Sequence, residues 1–416
     1  MSAKTMLIST LNRFPALKRI IKDLYQFSGN FFSDKKSWPN SIVQVSSKDS
    51  EHLFGYYDKT PWDSLSESMI YLRVSGANKQ FASENPADIV LRSKEGKEKA
   101  IASTRAWNVQ QGCMLQWYAK RDDEILFNDF RDGSYCSVVK NIQTGEERKL
   151  AMPVYSVSED GKTALTLDFS RLHTLRPGYG YCNLDDKTRR QTVPDGPAIY
   201  RLDLVSNSLH PLYTYAQLAA LSPKPTMEGA YHKVNHIMIS PSGKAFMFLH
   251  RWILNGRKYD RMLCAPSDGC SEPKILLDED MVSHSNWKDE NTIISYANAL
   301  GKGAGYYLVD VPTGQITDLS SFFPKEDGHP SYSPDRRYVI TDTYPSLKRK
   351  QSLFLVDMEK QEKRAIASVY ANIRYRNETR CDLHPRWSPN GRKVCFDGSL
   401  TGRRQVYAIE LEEEIK

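Results

Sequence analysis

Short apolar runs recur along the second half of the chain: Ala245–Leu249, Thr292–Tyr296, Tyr338–Thr341 and Lys393–Phe396. Each is too short for a helix and is bounded by turn residues, so each predicts a strand. The segments before them repeat one another: His236-Ile-Met-Ile-Ser-Pro-Ser-Gly-Lys, His284-Ser-Asn-Trp-Lys-Asp-Glu-Asn, His329-Pro-Ser-Tyr-Ser-Pro-Asp-Arg-Arg and His384-Pro-Arg-Trp-Ser-Pro-Asn-Gly-Arg. The Ser-Pro-Asp-Gly-like stretch reads as a tight turn, because Pro presets φ and Gly or Asn tolerates positive φ. A third strand follows as an apolar run closed by Asp, in Ile199–Asp203, Tyr306–Asp310 and Leu353–Asp357, and a fourth follows in Pro312–Leu319.

The opening histidines step by 48, 45 and 55 residues from 236 to 284, 329 and 384. A period of that size with strand–turn–strand content predicts a propeller. The first half fits the same frame more loosely, with Met69–Leu72, Glu124–Phe127 and Thr163–Leu167 as its apolar runs. The expected fold is therefore all-β, a seven-bladed β-propeller over residues 46–416. Gln405–Leu411 is expected to be the last strand, or to lie beside a strand from residues 41–46. The longer segments Arg171–Asp186 and Tyr213–Tyr231, expected between blades three and four, are candidates for the rim that binds a ligand.

Residues 1–45 read as a short N-terminal helical extension. Within 4–27, Leu7, Ile8, Leu11, Phe14, Leu17, Ile20, Ile21 and Leu24 recur at helical spacing among basic residues, and Pro15 interrupts them. Such a segment would pack on the propeller or make peripheral contact with an anionic membrane surface.

Composition narrows the class. The 416 residues are 40% hydrophobic and 26% charged, as in a soluble globular protein. The net charge of +7 is dispersed, with no basic block among stacked aromatics, so no nucleic-acid partner is expected. Seven cysteines with no CxxC pair read as reduced thiols, and no signal-peptide pattern opens the chain. A cytoplasmic protein is the expectation. Nucleophile-elbow, zincin, P-loop and dinucleotide motifs are absent from the sequence.

In a propeller the inner strands line a central channel, so His236, His284, His329 and His384 are expected to converge at one mouth. Converging neutral imidazoles suit a divalent transition metal, and hydrogen bonding between blades is the alternative use. A second group is Phe248-Leu-His-Arg-Trp252 followed by Arg261. His250 and Arg261 would sit side by side on a hairpin, a base next to a guanidinium, with Arg251 adjacent. A third is Arg171-Leu-His-Thr-Leu-Arg-Pro-Gly-Tyr-Gly-Tyr181, in which Arg171, His173 and Arg176 would grip acids and Tyr179 would stack on a sugar. Tyr56, Tyr57 and Asp58 are further candidate sugar contacts.

On these residues the chain resembles two groups of propellers, the Tol-type translocation proteins and, more closely, the oligogalacturonate lyases, a polysaccharide lyase family. Phe248-Leu-His-Arg-Trp252 with Arg261 resembles the strand carrying the lyases' catalytic histidine. Ser283-His-Ser-Asn-Trp287 resembles their metal-ligand segment, and Gly328-His-Pro-Ser-Tyr-Ser-Pro-Asp335 the blade after it. Their blade-six ligand cluster has a Gln and two His where this chain has only His329, so His236 or His384 would complete the set. The resemblance implies β-elimination on an acidic, uronate-containing oligo- or polysaccharide. His250 would be the base, Arg261 or Arg176 would hold the carboxylate, and the histidines would hold a divalent ion such as Mn2+. Two alternatives stay open. One is another carbohydrate enzyme, a glycosyltransferase or hydrolase using Asp58 or Asp382, and the other is a non-catalytic binding propeller.

Overall fold

The structure, a computed structural model, describes residues 41–79 and 85–411 together with positions 21, 27, 28, 38 and 39. The amphipathic segment read over residues 4–27 lies almost wholly outside these. Seven four-stranded antiparallel sheets follow one another as seven blades. Each apolar run read from the sequence is the second strand of its blade. In blade four, for example, Tyr231–Ile239, Ala245–Leu254, Arg257–Pro266 and Lys274–Leu277 pair in that order.

The repeated turn owes its shape to a short local network. The Ser333 hydroxyl donates to the Asp335 carboxylate at 2.5 Å, and the Arg336 amide donates to the Ser333 carbonyl at 2.9 Å. The fourth turn position has positive φ in three of the four copies, +78° at Gly243, +65° at Arg336 and +71° at Gly391. Gly meets that demand without strain, and Arg336 carries it with a side chain.

The tryptophan of the repeat joins blades. The Trp287 indole donates to the Met238 carbonyl at 3.0 Å, Trp387 to Ser331 at 2.9 Å and Trp117 to Pro61 at 3.0 Å. Each bond satisfies an indole N–H, buried in Trp287 and Trp387 and half-buried in Trp117, and ties one blade to its neighbour.

The ring closes by pairing the two ends of the chain. Ile42–Gln44 is the outer strand of the last blade, with Ile42 opposite Ile409 and Gln44 opposite Tyr407. Of the two placements open in the sequence, the strand from residues 41–46 is the one observed. It lies on the extension side of the expected boundary at residue 46, so the propeller includes it. A second difference concerns Arg171–Asp186. This segment lies within blade three, between Thr163–Thr166 and Pro197–Asp203, and contains the helix Phe169–Leu175. Asp168 caps that helix by accepting from the Ser170 and Arg171 amides. Among the described residues no helix is long and apolar enough to cross a membrane.

Candidate functional site

The propeller gathers three of the four repeat histidines at its centre. Ring centroids are 4.1 Å apart for His284 and His329, and 4.3 Å for His329 and His384. His236 stands 5.6 Å from His284, and the Tyr56 ring centroid is 5.0–6.5 Å from all four imidazoles. His236 and His384 both have positive φ, +53° and +46°. Two non-glycine residues in the left-handed region at one site are the kind of strain that clusters where function is built.

Their partners set the tautomers. His384 Nδ1 lies 2.8 Å from the Gly55 carbonyl, which only accepts, so Nδ1 carries the proton. His329 Nδ1 lies 2.8 Å from the Asp342 carboxylate, and His284 Nδ1 lies 3.1 Å from Asp327. In His329 and His384 the remaining nitrogen, Nε2, is buried and has no hydrogen-bond partner. Asp382 completes the group: one donor atom each from His329, Asp382 and His384 lie within 4.8 Å of one another, and all three residues are buried. Two bare imidazole nitrogens and a carboxylate, with the outer nitrogens held by acceptors, fit a divalent transition metal.

Electrostatics agree with that use. Burial, reinforced by His329, pushes His284 down to about 4. Burial also holds His384 and His236 well below the usual histidine range, so both are neutral. Burial opposes charge on His329 too, but the Asp342 carboxylate outweighs it and raises this histidine. Asp382 stays ionised because Arg380, bonded to both its oxygens, outweighs its burial.

The hairpin pair is formed but lies elsewhere. His250 and Arg261 are directly opposite in register, with Arg261 Nε 3.2 Å from His250 Nδ1. His250 Nε2 is taken by His232 Nδ1 at 2.8 Å, and Arg261 also donates to the Leu218 and Ser222 carbonyls. Both side chains are fully buried. Strand alternation explains the difference: His250 points to one face of blade four, and its neighbour Arg251 points to the other, toward the mouth. Arg251 donates to the Val282 and Ser283 carbonyls, immediately before His284.

The remaining candidates divide. Arg171 is buried with its guanidinium on the His232, Thr188 and Gln191 carbonyls, which leaves it a structural role in the loop. His173 stands on the helix Phe169–Leu175, outside the histidine group. Asp58 pairs with Lys59 at 2.6 Å and lines a separate cavity of about 220 Å³ with Gln116, Met238 and Trp287. Tyr57 is buried and exchanges hydrogen bonds with the Ser285 backbone. Tyr179 lies 6.4 Å from His236, and exposed Arg176 stacks on it at 5.0 Å. Sequence reading missed Asp342 and Asp327, the carboxylate partners of His329 and His284. Asp342 had a signal, since it directly follows the apolar run Tyr338–Thr341.

Comparison with solved structures identifies the architecture. An oligogalacturonate lyase in complex with manganese superposes with a TM-score of 0.65 at 12% identity, covering 90% of this chain and 94% of that one. The oligogalacturonate lyase from Vibrio parahaemolyticus gives 0.61 at 12% over the same shares. The chain shares their propeller fold. The β-propeller domain of the Trilobed protease from Pyrococcus furiosus gives 0.51 at 12%, over 88% of this chain and 97% of that domain. One fold thus carries unrelated chemistries, and the site must argue the function. No family model and no curated protein matches the sequence.

Proposed function

We propose that the protein is a metal-assisted lyase that cleaves uronate-containing oligo- or polysaccharides by β-elimination. The observation that carries the reading is the buried His329–Asp382–His384 group with its two bare Nε2 atoms. His284, 4.1 Å from His329, would be a further ligand. A bound divalent ion such as Mn2+ would neutralise the uronate carboxylate and stabilise the enolate-like charge that develops on it.

His236 is the base favoured by this geometry, in place of the enclosed His250. It is neutral and adjoins the ligand group. When its Nδ1–H is donated to Tyr56 Oη, 2.7 Å away, Nε2 keeps a lone pair. His236 would take the proton on C5, next to the carboxylate. That electron pair forms the C4–C5 double bond as the C4–oxygen bond breaks; the departing oxygen takes a proton from water, and the hydroxide left takes the proton from the His236 imidazolium, which restores the neutral base. The acidic substrate is supported by Arg176, which lies over the Tyr179 ring, itself 6.4 Å from His236. The carboxylate-based alternative is disfavoured because Asp58 and Asp382 are each engaged by a cation.

The test is metal content together with the ultraviolet absorbance of unsaturated products from polygalacturonate and other polyuronates. Stoichiometric metal and absorbance that are both lost in His329→Ala/His384→Ala would support the reading. A protein that takes up no manganese overturns the metal-assisted mechanism.

A further inference from the structure

The inner strands that carry His236 and His284 continue past those residues to a second cavity, of about 220 Å³. Met238 lines it on one strand, and Asn286 and Trp287 on the other. Gln116, Asp58 and Arg336 join them from blades two, one and six, and none of the four repeat histidines takes part. Tyr57 stands between the two places. Its buried ring is 5.2 Å from that of His329, and the next residue is Asp58.

Two charged groups at this cavity lack the partners their chemistry calls for. The Asp58 side chain is 7% exposed, and Oδ2 takes the Lys59 ammonium at 2.6 Å. Its other oxygen, Oδ1, is buried and has no hydrogen-bond partner among the described residues. A bare buried carboxylate oxygen is costly and calls for a donor. Arg336 is the second group. It makes no ion pair among the described residues, and its guanidinium has one long bond, from Nη1 to the Trp287 carbonyl at 3.5 Å. It also occupies, at φ +65°, the turn position that is glycine at 243 and 391. The fold thus keeps a strained residue whose side chain lines the cavity.

Charge and size define what would fit. Asp58 and Lys59 cancel, and Glu159 on the rim pairs with Lys120 at 3.0 Å, which leaves Arg336 unbalanced. A monoanion restores the balance. The volume is the share of roughly seven waters, room for a small molecule and too little for an oligomer.

We propose that this cavity binds a small hydroxy acid, whose carboxylate pairs with Arg336 and whose hydroxyl donates to Asp58 Oδ1. The Asn286 and Gln116 amides would take further hydroxyls, and Met238 and Trp287 would face the carbon chain. A hydroxyl suits Asp58 better than an ammonium does, because Lys59 already neutralises the carboxylate and a zwitterion would leave Arg336 unmatched. Neither the histidine group nor a metal is needed for this binding.

The test is calorimetry on the full chain with D-gluconate. The comparison ligands are hexanoate, which keeps the acid and loses the hydroxyls, sorbitol, which does the opposite, and D-glucosaminate, which adds an ammonium. Wild type is expected to bind gluconate at one site per chain, at least about tenfold more tightly than each of the other three. Arg336→Gly gives the turn the residue found at 243 and 391, so the fold should hold while gluconate affinity falls about tenfold or more. Asp58→Asn should weaken gluconate and leave hexanoate unchanged. His329→Ala/His384→Ala should bind gluconate as wild type does, whether or not the chain proves to be a lyase. A wild type that binds no gluconate overturns the site, as does binding that survives Arg336→Gly or is lost in the histidine variant. Tighter binding of hexanoate, sorbitol or glucosaminate overturns the hydroxy acid as the ligand class.

Discussion

His384 donates its Nδ1–H to the carbonyl of Gly55 at 2.8 Å, a bond from the last blade to the loop after the first inner strand. The carbonyl also receives the Arg386 guanidinium. One backbone oxygen therefore helps close the ring and fixes which nitrogen of His384 faces the candidate metal group. Gly55 has φ +129°, and a Cβ there would lie 2.6 Å from the Gln111 carbonyl. Gly55→Ala combines a strained conformation with a clash and should cost about 2–4 kcal/mol. Urea unfolding measures that cost, and a manganese titration of the folded variant should show weakened binding. Unchanged stability would remove this account of the seam.

Asp342 holds His329 from two directions, accepting from its backbone amide at 2.7 Å and lying 2.8 Å from Nδ1. Asp342→Asn keeps the shape and removes the charge that makes the imidazole a better donor. Manganese affinity, measured by competition with an indicator dye, is expected to fall about 10–100-fold with little change in fold. Equal affinity in the two proteins would mean that His329 does not bind metal through the nitrogen opposite Asp342.

Blade count and the second and third strands were legible because the repeat writes turn chemistry and apolar runs at one spacing, as in Ser333–Tyr338 and Ser388–Phe396. The convergence of His284, His329 and His384 followed from the same repetition. Two things were not legible. Which side of a strand faces the channel depends on register and bulges, so sequence did not show that His250 is enclosed by His232 and Arg261 while Arg251, its neighbour, reaches the backbone just before His284. The partners that set the histidine tautomers come from unrepeated positions, such as the Gly55 carbonyl. Lys233 carries no local signal at all, because one lysine in a strand is ordinary until its burial is known.

Lys233, on the inner strand of blade four, should be a liability for stability. It is 1% exposed, and among the described residues its Nζ donates only to the Leu175 carbonyl, at 3.2 Å. Burial, and next the Arg251 charge, hold its amine well below the usual lysine range, whereas the unfolded chain protonates it normally. Lys233→Met removes a poorly bonded buried polar group and is expected to stabilise the fold by roughly 1–3 kcal/mol near neutral pH. The sign with pH follows from linkage. Between the depressed folded pKa and the unfolded pKa, the unfolded state binds the extra proton, so wild-type stability rises with pH. The advantage of Met should then shrink by up to about 1.4 kcal/mol per pH unit across that window. Urea denaturation at two pH values decides it. A destabilised Lys233→Met would mean that the amine contributes to folding.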